Sequence, residues 1–214
     1  IFLDSTRSLI IRGGFAEHHE LTDSTWVTKR AEMIQFDERD SLFLHADTLL
    51  AVGNRDHKDS SGQQDVFAYH HVRIYKTDLQ GVCDSLVYTR SDSAIRFFRN
   101  PVLWSGFNQL TADSITLWMS GNALDKIYLN LNSLIISQSD TLQEGVIDSL
   151  RFNQIGGKKM TGYFVNNALD RIHVIGNVQT IYYAKDKKEQ DAATNRADGS
   201  ELMIRLSGNE LKRS

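Results

Sequence analysis

Apolar and polar residues alternate along most of this chain with a period of two, the spacing that puts every second side chain on one face of a strand. Ile115, Leu117 and Met119 alternate with Thr116 and Trp118, and Ile127, Leu129 and Leu131 alternate with Tyr128 and Asn130. Between them, Ser120-Gly121-Asn122 supplies turn chemistry, because Gly and Asn accept a positive φ cheaply. The same pattern returns at Met160 and Phe164, then at Ile172 and Val174. Gly162 stands where Leu117 stood and predicts a bulge or a close backbone approach. Elsewhere Val72 and Ile74, Val82 to Tyr88, and Ile95 and Phe97 predict strands arriving every ten or so residues. No segment sustains a 3.6-residue period, and Lys187 to Arg196, polar all round, is expected to be a loop.

The alternation is itself repeated. Phe107-Asn108-Gln109 returns as Phe152-Asn153-Gln154, and Asn122-Ala123-Leu124-Asp125 as Asn167-Ala168-Leu169-Asp170; both shifts are 45 residues (152 − 107 and 167 − 122). An ungapped period of this size marks a repeat architecture in which each unit covers its apolar face with its neighbours. The clear copies are 107–131 and 152–176. A partial third copy over 202–213 has Leu202, Ile204 and Leu206 leading into Gly208-Asn209, and it predicts that the natural protein continues past Ser214. We expect one domain over 1–214, with residues 1–40 the least legible part.

A short signature, Asp followed by Ser or Thr and a branched apolar residue, occurs at Asp47-Thr48-Leu49, Asp84-Ser85-Leu86, Asp113-Ser114-Ile115 and Asp148-Ser149-Leu150. It suits a strand entry, where short polar side chains bond the local backbone. A row of calcium-binding carboxylates would need denser oxygen spacing. Residues 53–65, from Gly53 to Asp65, read as a polar loop.

Composition changes the picture little. With 41% hydrophobic and 24% charged residues the chain suits a globular protein, and a net charge of −3 argues against general nucleic-acid binding. No run of 18 apolar residues is present, so no transmembrane helix is expected. The lone Cys83 allows no internal disulfide, and the single Pro101 fits a chain of paired strands. His18-His19 and His70-His71 are no metal pairs on a regular strand, since neighbours point to opposite faces. Gly156-Gly157-Lys158-Lys159 lacks the spacing and the helix of a nucleotide loop and reads as a solvated hairpin. Trp118 is expected to pack outward against a neighbouring strand, and no spacing nominates a catalytic group or a cofactor.

The paired strands, the Asp-Ser-Leu entries, the stretch from Gly176-Asn177-Val178 to Tyr183, and the run from His71 through Cys83-Asp84-Ser85-Leu86 to Asn100-Pro101-Val102 together resemble a known family. It is the organic-solvent-tolerance-A-like domains related to lipopolysaccharide transport protein A (LptA/OstA-like), in their Bacteroidetes form. The resemblance covers roughly Leu42 to Ser214. It implies an all-β, repeat-built, V-shaped β-jellyroll of elongated antiparallel sheets stacked face to face. It further implies a periplasmic, non-enzymatic carrier holding lipid A acyl chains in the groove. Partners would be lipopolysaccharide and other transport components, or a second copy added by edge-strand stacking. Candidate groove residues are Ile115, Leu117, Ile127, Leu129, Ile172 and Val174, and Lys158 and Lys159 are candidate phosphate contacts at the groove mouth. The alternative is a β-solenoid scaffold or adhesin with a sealed interior that binds protein or polysaccharide on its outer face.

Overall fold

The computed structural model describes residues 2–4, 9–36, 40–53, 64–121, 123–138, 151–166, 168–185, 191–207 and 210–211. The described residues form strands and turns only, and every strand pairing is antiparallel. The all-β expectation therefore holds. Asp148, Asn167 and residues 54–63 lie outside the described residues.

The strands form a meander in which each long strand bends once. Long β4 (Ser24–Phe36), β5 (Ser41–Gly53), β6 (Gln64–Lys76), β7 (Leu79–Thr89), β12 (Ala123–Gln138), β13 (Phe152–Val165), β14 (Ala168–Lys185) and β15 (Asp191–Ser207) pair in sequence order on either side of the bend. Three pairs of short strands do the work of one bent strand each: β2 (Leu9–Arg12) with β3 (Phe15–His19), β8 (Ala94–Phe98) with β9 (Val102–Ser105), and β10 (Asn108–Thr111) with β11 (Ser114–Ser120). β1 (Phe2–Asp4) and β16 (Glu210–Leu211) add short end pieces. The 45-residue repeat now has a structural meaning. β10 and β11 in the first copy correspond to unbroken β13 in the second, and β12 corresponds to β14.

Each bend is a β-bulge in which two residues oppose one, and the bulges line up across the sheet. On alternate strands the bend is a pair of left-handed residues: Lys29-Arg30, His70-His71, Arg99-Asn100, Leu131-Asn132 and Gly176-Asn177. The single residues facing these pairs include Asp47, Asp84, Asp113 and Lys158. The backbone confirms the pattern where Asp113 N donates to Leu131 O at 3.0 Å and Gly14 N to Lys29 O at 2.9 Å. Gly156-Gly157-Lys158-Lys159 is thus the bend of β13, not the hairpin that its composition suggested. Leu131, expected on the inward face, sits instead at φ +62° and is exposed, where its repeat partner is Gly176. Of Lys187 to Arg196, expected to be a loop, residues 187–190 lie outside the described residues and 191–196 are strand, paired to β14.

The line of bulges folds the sheet into two half-sheets whose inner faces meet. On the first half-sheet one inward row runs Val27, Leu49, Ala68, Leu86, Phe97, Ile115, Leu129, Met160, Val174, Leu202, each in register with the next. On the second the matching row runs Ile11, Met33, Leu44, Ile74, Gly81, Leu103, Leu110, Ile135, Ile155. Both rows contribute to one continuous core. Inside the vertex, where the halves converge, Ala31, Ala46, Cys83, Ala112, Ser133 and Gly157 leave room for little more than backbone. A Cβ on Gly157 would lie 2.4 Å from Val174 Cγ1. Two facing sheets pack about 10 Å apart when bulky side chains interdigitate, so small residues confine close approach to the vertex.

Candidate functional site

Two places in this architecture carry chemistry: the apolar interior and the outer ridge of the vertex. The six candidate groove residues all lie on the first half-sheet and all face the interior. Ile115, Leu129 and Val174 share the row nearest the vertex, while Leu117, Ile127 and Ile172 share the next one out, in register through Gly162. Gly162 is there because a Cβ would approach Ile127 Cγ2 to 2.7 Å, which is the close approach the sequence suggested. All six are buried, 0–8% exposed, and belong to the packed core.

Burial on the second half-sheet is uneven. Ile74 and Leu103 are 5% and 1% exposed, whereas Leu110, Ile135 and Ile155, next along the same inward row, are only partly buried. The interior is therefore less covered on the C-terminal side, over β10, β12 and β13. Beyond this row, towards the mouth, the inward positions turn polar: Asn108, Ser137 and Asn153 lie in register. The Ser137 hydroxyl donates to Asn108 Oδ1 at 2.6 Å, and Asn153 Oδ1 accepts the Tyr183 amide at 2.9 Å. The arrangement is an apolar floor with an uncharged hydrogen-bonding rim. Sequence alternation alone missed Leu110, Ile135 and Ile155, because it names every inward residue without telling which ones a facing sheet covers.

The outer ridge explains the Asp-Ser-Leu signature. Asp47, Asp84 and Asp113 each sit at the one-residue side of a bulge and bind the left-handed pair beside it. His71 Nδ1 lies 2.7 Å from Asp47, His70 Nδ1 3.1 Å from Asp84, and Asn132 Nδ2 donates to Asp113 at 2.9 Å. Arg99 adds a longer contact to Asp84 at 3.7 Å. The two histidines do occupy a bulge, yet they turn to different carboxylates on the two neighbouring strands. Among the described residues no cluster of His, Cys, Asp or Glu is placed to hold a metal ion. Lys158 and Lys159 are exposed on this ridge, on the far side of the fold from the mouth, so they do not line the interior.

Hydrogen bonds from Ser85 and then His70 hold the Asp84 carboxyl below the usual carboxylate range. A carboxyl whose pKa is depressed on folding stabilises the fold above its unfolded value of 3.8 and loses that contribution as pH falls through the lower, folded value. We expect melting temperature to drop on acidification below about pH 4, and Asp84→Asn to flatten part of that drop; an unchanged acid limb in the variant would remove Asp84 from the vertex's electrostatics. Cys83 behaves oppositely. Burial is the main cause that pushes its thiol up to about 12, so it stays protonated, a small apolar residue of the vertex and no nucleophile.

On the outer face of the first half-sheet the repeat conserves an interaction. Lys126 stands 4.0 Å above the Trp118 ring and Arg171 4.3 Å above Tyr163, one repeat apart and each pair directly across its hairpin. Trp118 thus packs outward against the neighbouring strand, as expected.

No protein-family model and no curated protein matches this chain.

Proposed function

We propose that this protein is a non-enzymatic lipid-binding module that takes the acyl chains of a lipopolysaccharide between its two half-sheets, acting in the periplasm. The observation that carries the reading is the change along one inward row, from closed core at Leu103 to partly uncovered Leu110, Ile135 and Ile155. Hydrocarbon placed there would meet a continuous apolar surface, at about 25 cal/mol for each Å² it removes from water. The rim of Asn108, Ser137 and Asn153 offers hydrogen bonds to the polar part of an amphiphile without a competing charge. For the chains to pass deeper, towards Leu117 and Ile127, the half-sheets would have to part, and the bulged vertex is where such a sheet bends most easily. Assembly by edge pairing is supported by β15, whose outer edge is paired among the described residues only at Leu206 and Ser207.

A photo-crosslinking amino acid at Ile135 or Ile155 is expected to capture lipopolysaccharide in envelope extracts, more strongly than one at Leu117 or Ile127. Absence of capture at all four positions would end the proposal. A second reading has its own support: the 0–8% exposure of the six first-half-sheet residues suits a sealed scaffold that works through its outer surfaces. That scaffold would give no capture anywhere inside, so the same experiment separates the two.

A further inference from the structure

The outer face of the second half-sheet carries a row in which exposed rings and amides alternate. One outward row there runs in register from Ile34 through Phe43, Tyr75, Gln80, Trp104, Gln109, Ile136 and Gln154 to Ile181. It holds no charged residue as far as Ile181, whose partner on the next strand is Arg196, in a chain whose charged fraction is 24%. The adjoining row is uncharged from Val82 through Val102, Thr111, Leu134 and Gly156 to Gln179, with Arg73 in register before Val82 and Asp198 after Gln179. The rings are open to solvent: Phe43 is 37% exposed, Tyr75 52% and Trp104 37%.

We infer that this face binds an uncharged, extended polysaccharide chain along the row Phe43, Tyr75, Gln80, Trp104, Gln109. A sugar presents an apolar C–H face and a rim of hydroxyls. It is recognised by aromatic rings for the first and by amides for the second, with no call for charge. The row supplies these alternately, ring then amide then ring then amide, from Tyr75 to Gln109. Trp104 is held in place, because its Nε1 donates to Gln109 Oε1 at 3.0 Å. Phe43 and Tyr75 are held against each other with ring centres 6.3 Å apart. Neighbouring strands lie about 4.8 Å apart, so Tyr75 and Trp104, two strands from each other, are separated by about 10 Å, roughly two sugar units of an extended chain. Between Phe43 and Gln109 the row itself holds no cation for an anionic glycan or a nucleic acid, and Arg73 flanks it at Tyr75. A protein partner would leave the three glutamine amides in need of matched groups across a dry interface. The site lies on the opposite side of its sheet from the apolar interior, so it stands or falls independently of lipid binding.

The test is affinity electrophoresis of the whole chain through gels containing neutral polysaccharides: a β-1,4-glucan, a β-1,3-glucan, a galactomannan and an α-1,6-glucan. Retardation by at least one polymer is expected. Tyr75→Ala with Trp104→Ala should weaken it at least 10-fold, and Gln80→Glu, which changes no ring, at least 3-fold. Trp118→Ala, on the other outer face, should leave it unchanged. The circular dichroism spectrum and melting temperature of each variant check the fold, and Gln80→Glu keeps the test decisive should the double variant not fold. No retardation by any of the four polymers overturns the proposal, as does equal retardation of wild type and Gln80→Glu, or loss in Trp118→Ala. Retention by anionic lipid vesicles or an envelope protein in place of the glycans would likewise overturn it.

Discussion

Phe97→Ala is expected to cost about 3–5 kcal/mol, the range for emptying an aromatic site in a closed core. Phe97 is 0% exposed and sits in the middle of the inward row of the first half-sheet, between Leu86 and Ile115. Its neighbours across the strands cannot move in to fill the space, because each is fixed by ladder hydrogen bonds on both sides. The loss is large against the 5–15 kcal/mol by which folded domains exceed their unfolded chains. Urea unfolding checks it: the midpoint should fall markedly with little change in slope. Phe98→Ala is the control, one residue along on the outer face and 37% exposed, with an expected cost of about 1 kcal/mol or less. If Phe97→Ala cost no more than its control, the half-sheets would not be packed together in solution. The sealed scaffold would then be excluded and the open interior favoured.

Gly157→Leu should be nearly as damaging, for the opposite reason. A Cβ at position 157 already comes within 2.4 Å of Val174 Cγ1, and Val174 is 0% exposed with nowhere to go. Overfilling a packed site typically costs about 1–3 kcal/mol, and this position belongs at the upper end, since the added branch enters the narrowest part of the vertex. Gly157→Ala should cost less, because the first repeat accommodates Ala112 at the corresponding bend. Thermal melts of the pair measure this, with the leucine variant well below the alanine one. Equal melting temperatures would show that the vertex is not tight and that small residues there do not set the angle between the half-sheets.

Much of the fold was legible because its strands obey a strict period of two. Ile115 with Leu117, and Ile127 with Leu129, share an inward face, and they are core as their alternation required. The hairpin at Ser120-Gly121 was legible for a local reason: Gly121 takes φ +61°, which its residue type makes cheap. The bends were not legible. His70-His71 and Leu131-Asn132 adopt left-handed backbone although neither His nor Leu announces it, because the neighbouring strand supplies the compensation through Asp84, Asp47 and Asp113. Alternation therefore carried straight through Leu131 and placed it inside, while the bulge turned it out. The Asp-Ser-Leu signature was visible as a recurring phrase, but its partners lie 14 and 24 residues away in the chain, for His70–Asp84 and His71–Asp47. In the C-terminal part, Asp191 to Arg196 lacks any apolar period yet is strand, since an edge strand gains its backbone hydrogen bonds from β14 whatever its side chains.

What the sequence determined by itself is local and periodic. It set strand against helix, the inward and outward sets of each strand, and the 45-residue unit, because side-chain direction in a strand follows directly from position. Only the tertiary structure decided where the strands bend, which inward residues a second half-sheet covers, and which outward residues join into one row of rings and amides. Those depend on register between strands far apart in the chain, and register is a property of the assembled sheet: it decides that Tyr75 and Trp104 share one surface and that Leu103 is closed while Ile135 is not.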